Sequence, residues 1–144
     1  MQGDKANGEY KLTISMESTP DQIGEMIDHV RSFAEVHLEN DDLQTQTALA
    51  VNEALVNAAK HGNDFDVSKT ATVHVRVNDD SIQVSVEDEG HGFEPAAVQS
   101  PLTEENMLRD HGRGLHIMET IADDVSYENG GRRVRLGIHR AVHE

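Results

Sequence analysis

The chain has 144 residues, no cysteine and a formal net charge of −15 at pH 7. This length favours a single domain with a core large enough to fold alone. The absence of cysteine excludes disulfides, a thiol nucleophile and thiolate metal sites. The strong negative charge argues against direct nucleic-acid binding, because a phosphate backbone would be repelled, and it favours a basic protein partner.

Hydropathy along the chain gives no sign of a membrane segment. No apolar run approaches the roughly 20 residues that a membrane-spanning helix needs, and residues 1–10 lack the apolar region of a signal peptide. We therefore expect no membrane association and a cytoplasmic location. We also expect a flexible lead-in over residues 1–9, followed by one domain over residues 10–144.

Two helices are predicted in the first half of the chain. Thr19 and Pro20 are typical of a helix start, and apolar residues at helical spacing follow until about Leu38. Asn40 and the two aspartates after it open a second helix, which should run to about His61 before a glycine stops it.

Strands are predicted wherever apolar and polar residues alternate, at residues 10–16, 72–78, 82–86, 125–127 and 134–138. Turn signals at residues 78–80 and 129–131 join neighbouring strands into two hairpins. Residues 93–111 have no clear period and are interpreted as a lid, and residues 114–122 look helical. The predicted order is β-α-α-β-β-lid-α-β-β. It corresponds to an α+β two-layer sandwich, with helices on one face of a mixed, mainly antiparallel sheet.

Three short polar islands interrupt this apolar pattern, and the first lies on the second helix. Glu53 and Asn57 are four residues apart and therefore share a helix face. A carboxylate beside an amide oxygen can position Mg²⁺ or a water molecule. Lys60 and His61 extend that face by two more turns. The alternative is a pair that only caps or bonds locally on an exposed stripe.

The second island follows the predicted strand at residues 82–86. Asp88 at the end of a buried strand can accept a hydrogen bond from an exocyclic amine. Gly90 and Gly92 permit close backbone approach, so that a flat ring can lie against the main chain before Phe93. This D-x-G-x-G pattern also occurs in calcium loops and simple turns, although the strict EF-hand pattern is absent.

The third island, residues 111–115, reads His-Gly-Arg-Gly-Leu and opens a helix. Unpaired N–H groups at a helix start favour anions. Gly112 and Gly114 would let a phosphate approach the backbone, while Arg109 and Arg113 add positive charge. Neither the Walker phosphate-binding loop nor the Rossmann glycine motif is present.

In combination these islands are much more specific than any one of them. E-x-x-x-N on a helix, D-x-G-x-G after a strand and G-x-G-L before a helix resemble the N, G1 and G2 boxes of the GHKL (Bergerat-fold) ATP-binding superfamily. The His61-Gly62 ending and G-R-G-L look like the branch of bacterial anti-sigma-factor serine/threonine kinases. The resemblance spans about residues 10–140, and it implies ATP or ADP and Mg²⁺ as ligands.

The resemblance also implies roles for individual residues. Glu53 would be the general base for an incoming serine or threonine hydroxyl, and Asn57 would hold Mg²⁺. Asp88 would read the adenine amino group, and Arg109 or Arg113 would neutralise charge on the γ-phosphate. The implied nucleotide-binding residues are Asn57, His61, Asp88, Gly90, Gly92, Phe93, His111, Gly112, Gly114 and Leu115.

By the same resemblance, the chain would sequester a sigma factor and phosphorylate a small anti-sigma antagonist, so that it switches between the two partners. It also suggests a homodimer, with the first strand and helix as the candidate interface. The acidic residues between positions 17 and 53 would then form a docking surface for a basic helix, unless they are only a solvated helix face. Two alternative functions are a regulatory nucleotide-binding module without transfer activity, and a histidine-kinase-type ATP-binding domain that acts in trans.

Overall fold

The computed structural model describes residues 9–62, 68–90 and 117–140. Its elements in chain order are β1 (Tyr10–Glu17), α1 (Pro20–His37), α2 (Asp41–Val56), a π-helical segment (Asn57–Gly62), β2 (Thr70–Val77), β3 (Ser81–Glu87), β4 (Asp124–Glu128) and β5 (Arg133–His139). Residues 117–121 are also helical. The predicted lid at residues 93–111 and the first eight residues of the predicted lead-in lie outside the described residues.

The strands form one sheet in the order β1-β2-β3-β5-β4, so that β5 lies between β3 and β4. All four pairings among the described strands are antiparallel. Helix α1 packs on β1 and β2, and α2 packs on β2, β3 and β5. The predicted α+β arrangement, with helices against one face of a mainly antiparallel sheet, is confirmed.

Both helices begin with the caps that the sequence predicts. The Thr19 side chain accepts a hydrogen bond from the backbone N–H of Gln22 at 3.2 Å, and Pro20 follows in the first turn. The Asn40 side chain accepts one from the N–H of Leu43 at 3.0 Å. Each cap satisfies a backbone donor that would otherwise have no partner and contributes about 1 kcal/mol.

The core lies between the helices and the inner face of the sheet. Alternation along the strands places one apolar row across four of them: Leu12, Val75, Val84 and Leu136, each at most 2% exposed. Burial of one such side chain contributes about 1.5–3 kcal/mol. No helix within the described ranges is long and apolar enough to span a bilayer.

The last hairpin contains the turn that its sequence predicts. Asn129 and Gly130 both have positive φ, at 55° and 67°, and Gly130 has no side chain to be strained there. This turn ends immediately before Arg132, whose carbonyl accepts the backbone N–H of Asp88 at 2.9 Å. The turn therefore brings the start of β5 to the end of β3, where the second polar island begins.

Candidate functional site

The first part of the candidate site is the C-terminal end of α2. This helix is made largely of small and apolar residues whose inner side is buried against the sheet. Glu53 is partly exposed, and among the described residues it receives one long hydrogen bond, at 3.4 Å, from the side chain of Asn52. Asn57 follows one turn later, and its backbone N–H reaches the carbonyls of both Glu53 and Ala54. The two predicted site residues are therefore neighbours on one helical path.

The α-helical form ends at Val56, and residues from Asn57 to Gly62 continue the path as a π-helix. The second helix thus extends as far as predicted, but its last part has a different form. The prediction that His61 lies on the Glu53–Asn57 face assumed α-helical geometry, and the side chain of His61 is outside the described part of the chain. Single π-helical turns inside α-helices often occur at functional sites.

Asn57 is the most informative side chain of this region. It is 9% exposed, and its amide Nδ2 has no hydrogen-bond partner among the described residues. A buried polar group without a partner costs about 1–3 kcal/mol. A donor in this state fits a position that is completed by an acceptor on a ligand, because Nδ2 is not bonded to any described protein group.

The second part of the site is the end of β3. One carboxylate oxygen of Asp88, Oδ1, accepts the backbone N–H of Gly90 at 2.8 Å. Burial raises the pKa of Asp88, while the Gly90 hydrogen bond and the positive charges of Arg132 and Lys69 act in the opposite direction. Oδ2 has no hydrogen bond among the described residues, so it can accept one from a ligand.

The fold brings the elements that carry these two parts of the site into contact. Helix α2 packs across β2, β3 and β5, and the π-helical segment contacts β2. The backbone N–H of Thr70, at the start of β2, donates to the side chain of Glu89 at 2.9 Å. The start of β2 and the end of β3 therefore lie at the same end of the sheet.

Much of the predicted site lies outside the described residues: Gly92, Phe93, Arg109, His111, Gly112, Arg113, Gly114 and Leu115. Their roles stay predictions. The helix predicted to follow this glycine-rich segment is confirmed over residues 117–121, where Met118 is 1% exposed and joins the core.

No local pattern in the sequence places Lys69 or Arg132 beside Asp88. The position of Arg132 follows from the antiparallel pairing of β3 with β5, in which Glu87 pairs with Arg133. A sequence-based prediction of that pairing would have placed Arg132 beside Asp88.

Comparisons with known proteins identify the family of the chain. Residues 16–138 match the family described as histidine kinase-like ATPase domain. The chain is 35% identical over 95 residues to an anti-sigma F factor of Clostridium perfringens, which covers 62% of this chain and 68% of the relative.

Two further relatives carry the name serine-protein kinase RsbW. The protein from Staphylococcus epidermidis is 30% identical over 113 residues, or 72% of this chain and 70% of the relative. The protein from Bacillus subtilis is 32% identical over 87 residues, which cover 56% of this chain and 54% of the relative. These matches therefore span between 54% and 70% of the relatives' own length. The chain belongs to the histidine kinase-like ATPase domain family, on the branch that contains these anti-sigma factors and serine-protein kinases.

Proposed function

We propose that this protein is an ATP-binding anti-sigma factor with serine/threonine kinase activity, which phosphorylates a small anti-sigma antagonist and so switches partners. The observation that carries the proposal is the buried Asn57 amide, whose Nδ2 has no hydrogen-bond partner among the described residues, one helical turn after the partly exposed carboxylate of Glu53. The names of the similar proteins support both halves of the proposal, the sigma factor and the serine kinase.

In this proposal Glu53 is the general base. A base must reach the proton that it removes, and a partly exposed carboxylate at the helix surface is open to a hydroxyl from another protein. Its only hydrogen bond among the described residues, from Asn52, is long. The carboxylate is therefore available to hold the serine or threonine hydroxyl and to accept its proton.

Asn57 is the proposed Mg²⁺ ligand. Magnesium is commonly held by one or two protein oxygens together with the phosphates of a substrate. In this proposal the amide oxygen of Asn57 is one protein ligand and the phosphates of the nucleotide supply others; the described residues contain no cluster of three acidic or histidine side chains that would hold a metal by themselves. When bound, the ion supplies positive charge that offsets the charge of the phosphates.

Asp88 is the proposed reader of adenine, because its Oδ2 can accept the exocyclic amino group while Gly90 holds Oδ1. Gly92 and Phe93 would complete the base pocket. Arg109 or Arg113 would neutralise the γ-phosphate, and the residues from His111 to Leu115 would wrap the phosphates. All of these residues act by binding and positioning, which together with electrostatics provide most of the catalysis of phosphoryl transfer.

The charge of the helix layer supports a basic partner. Its solvent-facing acids are Asp21, Glu25, Asp28, Glu35, Glu39, Asp41 and Asp42, and Arg31 is the one exposed arginine or lysine on α1 and α2. Such a surface would attract a basic segment of a sigma factor and accelerate its association. A homodimer through β1 and α1, and a cytoplasmic location, remain part of the proposal.

The first test is calorimetric titration of ADP and ATP with and without Mg²⁺. We expect adenine-selective binding that Mg²⁺ strengthens. A folded protein that binds neither nucleotide would overturn the proposal in full. Binding without any transfer to an antagonist protein would leave the silent regulatory module as the better function.

The second test concerns Glu53. The Glu53→Gln variant should bind nucleotide as the original protein does but should lose transfer of labelled γ-phosphate to small antagonist proteins from the same genome. Glu35→Gln is the matched control, because it makes the same chemical change at an exposed position of α1. If Glu53→Gln transferred phosphate at the original rate, Glu53 would not be the base.

A further inference from the structure

The outer face of the sheet, opposite the helices, has an unusual arrangement of side chains around Ser85. In the strand register, Ser85 lies directly between His74 on β2 and Arg135 on β5. Directly opposed side chains have Cβ atoms about 4.5–5.5 Å apart, and diagonal neighbours about 7–8 Å. The diagonal neighbours here include Arg76 and Arg133, so three guanidinium groups and an imidazole surround one serine hydroxyl.

A cavity of about 300 Å³ lies at this position, lined by His74, Arg76, Gln83, Ser85, Arg133 and Arg135. Next to the cavity, the residue opposite Gln83 on β5 is Gly137, which has no side chain. A Cβ atom on Gly137 would meet the side chains of Asp124 and Gln83 at 3.4–3.5 Å. The sheet therefore has a depression with hydrogen-bond donors around it.

Several of these donors are not used by the protein. Arg76 has no ion pair or hydrogen bond among the described residues, and neither does the Ser85 hydroxyl. Arg135 uses Nε for its ion pair with Glu128 at 2.9 Å, which leaves both of its terminal nitrogens. His74 has a side-chain contact through Nδ1, to the Thr13 hydroxyl at 3.0 Å, so Nε2 stays accessible.

The charge balance of this face differs from that of the whole chain. Its outward-facing basic residues are Lys11, Arg76, Arg133 and Arg135, and its acidic residues are Glu17, Glu87, Asp124 and Glu128. The face is thus neutral apart from its histidines, while the chain carries −15. Glu87 and Glu128 hold Arg133 at one side of the cavity, and no carboxylate lines the cavity itself.

We propose that this depression on the outer sheet face binds a phosphate-type oxyanion above Ser85, held by Arg76, Arg135 and the Ser85 hydroxyl. Arginine is well suited to such ligands because its planar fork of donors matches the geometry of phosphate and carboxylate oxygens. The site lies on the opposite side of the sheet from α2, so it is separate from the proposed nucleotide site and does not depend on it.

The experiment is a titration of the full chain with inorganic phosphate at constant ionic strength, followed by NMR of the backbone amides. We expect saturable shifts at residues 74–76, 83–85 and 133–137. Arg76→Gln should raise the dissociation constant about three- to tenfold, as expected for the loss of one partly solvated charged hydrogen bond. Arg76 makes no contact that the fold needs, so this variant should fold normally.

The matched control is Arg31→Gln, which removes the same charge from the helix layer and should leave the dissociation constant unchanged. Equal effects of the two variants would mean that phosphate responds only to net charge, and would overturn the proposal. So would an absence of saturable shifts at the three outer-face segments. Shifts confined to residues near Asn57 or Asp88 would report phosphate at the nucleotide site and would also contradict an outer-face site.

Parallel titrations with phosphoserine and glutamate identify the source of the oxyanion. Tighter binding of phosphoserine than of inorganic phosphate would support a phosphorylated side chain as the ligand, and the reverse order would support free phosphate. Tighter binding of glutamate than of either would overturn the assignment of a phosphate-type ligand.

Discussion

The two sides of the sheet differ in how their polar side chains are paired by hydrogen bonds. On the outer side most polar side chains pair across the strands, as Thr13 does with His74 and Ser15 with Thr72, at 3.0 and 2.7 Å. In the core between the helices and the sheet the buried polar residues are few, Ser18, Thr47 and Asn57, and the Asn57 amide nitrogen has no partner in the described part of the chain.

This difference separates polar groups that stabilise the strand register from a buried polar group, the Asn57 amide, that we propose is completed by a ligand. An exposed pair can exchange its partner for water at little cost, so it contributes modestly to stability. A buried group without a partner lowers stability, and for Asn57 the proposed reason for its retention is a bound ligand. Two polar residues without a partner among the described residues, Arg76 and Ser85, lie at the depression described above.

The largest effect that tests this comparison is on stability, at two neighbouring positions of β5. Leu136 is 1% exposed on the inner side, and Leu136→Ala should lower the free energy of unfolding by about 2–5 kcal/mol. Arg135→Ala, one residue earlier and facing outwards, should lower it by less than about 1 kcal/mol. Urea denaturation of both variants gives the two values. Similar losses would mean that the outer ion pairs matter to the fold as much as the core does.

The sequence was sufficient to predict the elements and the faces of the strands. Period-two alternation placed Leu12, Val75, Val84 and Leu136 on one side, and the caps of both helices were recognisable from Thr19 and Asn40. These features are local, because each depends on residues within one or two turns or on neighbouring positions of one strand.

The features that could not be predicted depend on packing between distant segments. The insertion of β5 between β3 and β4 has no local signal in the sequence. The proximity of Arg132 to Asp88 depends on that insertion, so it could not be predicted either. The change from α- to π-helix after Val56 was also missed, because the sequence there continues a helical pattern. Whether Asn57 has a partner is decided only when its neighbours are in place. The sequence could therefore identify Asn57 as a candidate site residue. It could not show that Nδ2 of Asn57 has no partner among the described residues.

A smaller effect is expected on nucleotide affinity at the end of β3. Asp88→Ala should weaken ATP binding by about 1–3 kcal/mol, the cost of leaving buried polar groups of the complex unpaired. The control is Glu89→Ala, because Glu89 is an exposed neighbour whose side chain accepts the backbone N–H of Thr70. Calorimetry should give near-original affinity for the control. If Asp88→Ala also kept its affinity, or if GTP bound as well as ATP did, Asp88 would not read adenine.

The smallest expected effect is also the strictest test of the comparison, because the substitution should raise the stability of the protein and not lower it. Asn57→Leu replaces a buried amide, whose Nδ2 has no partner among the described residues, by an apolar group of similar branched shape, so the ligand-free protein should become more stable, by about 1 kcal/mol. Thr47→Val is the control, since the Thr47 hydroxyl on α2 is also buried with no partner in the described ranges but lies about 15 Å away along the helix axis. We expect a similar gain for this variant.

The two variants should differ only with nucleotide present. Thr47→Val should keep the increase in ATP affinity that Mg²⁺ provides, and Asn57→Leu should lose it, which calorimetry with and without the ion would measure. A clear loss of stability in Asn57→Leu would show that the amide is bonded within the protein itself. The distinction between the two sides of the sheet would then fail, because the helix side would pair its polar groups as completely as the outer side does. A gain in stability together with a loss of Mg²⁺-dependent binding has one physical explanation, which is that the fold carries a cost at Asn57 for the sake of its ligand.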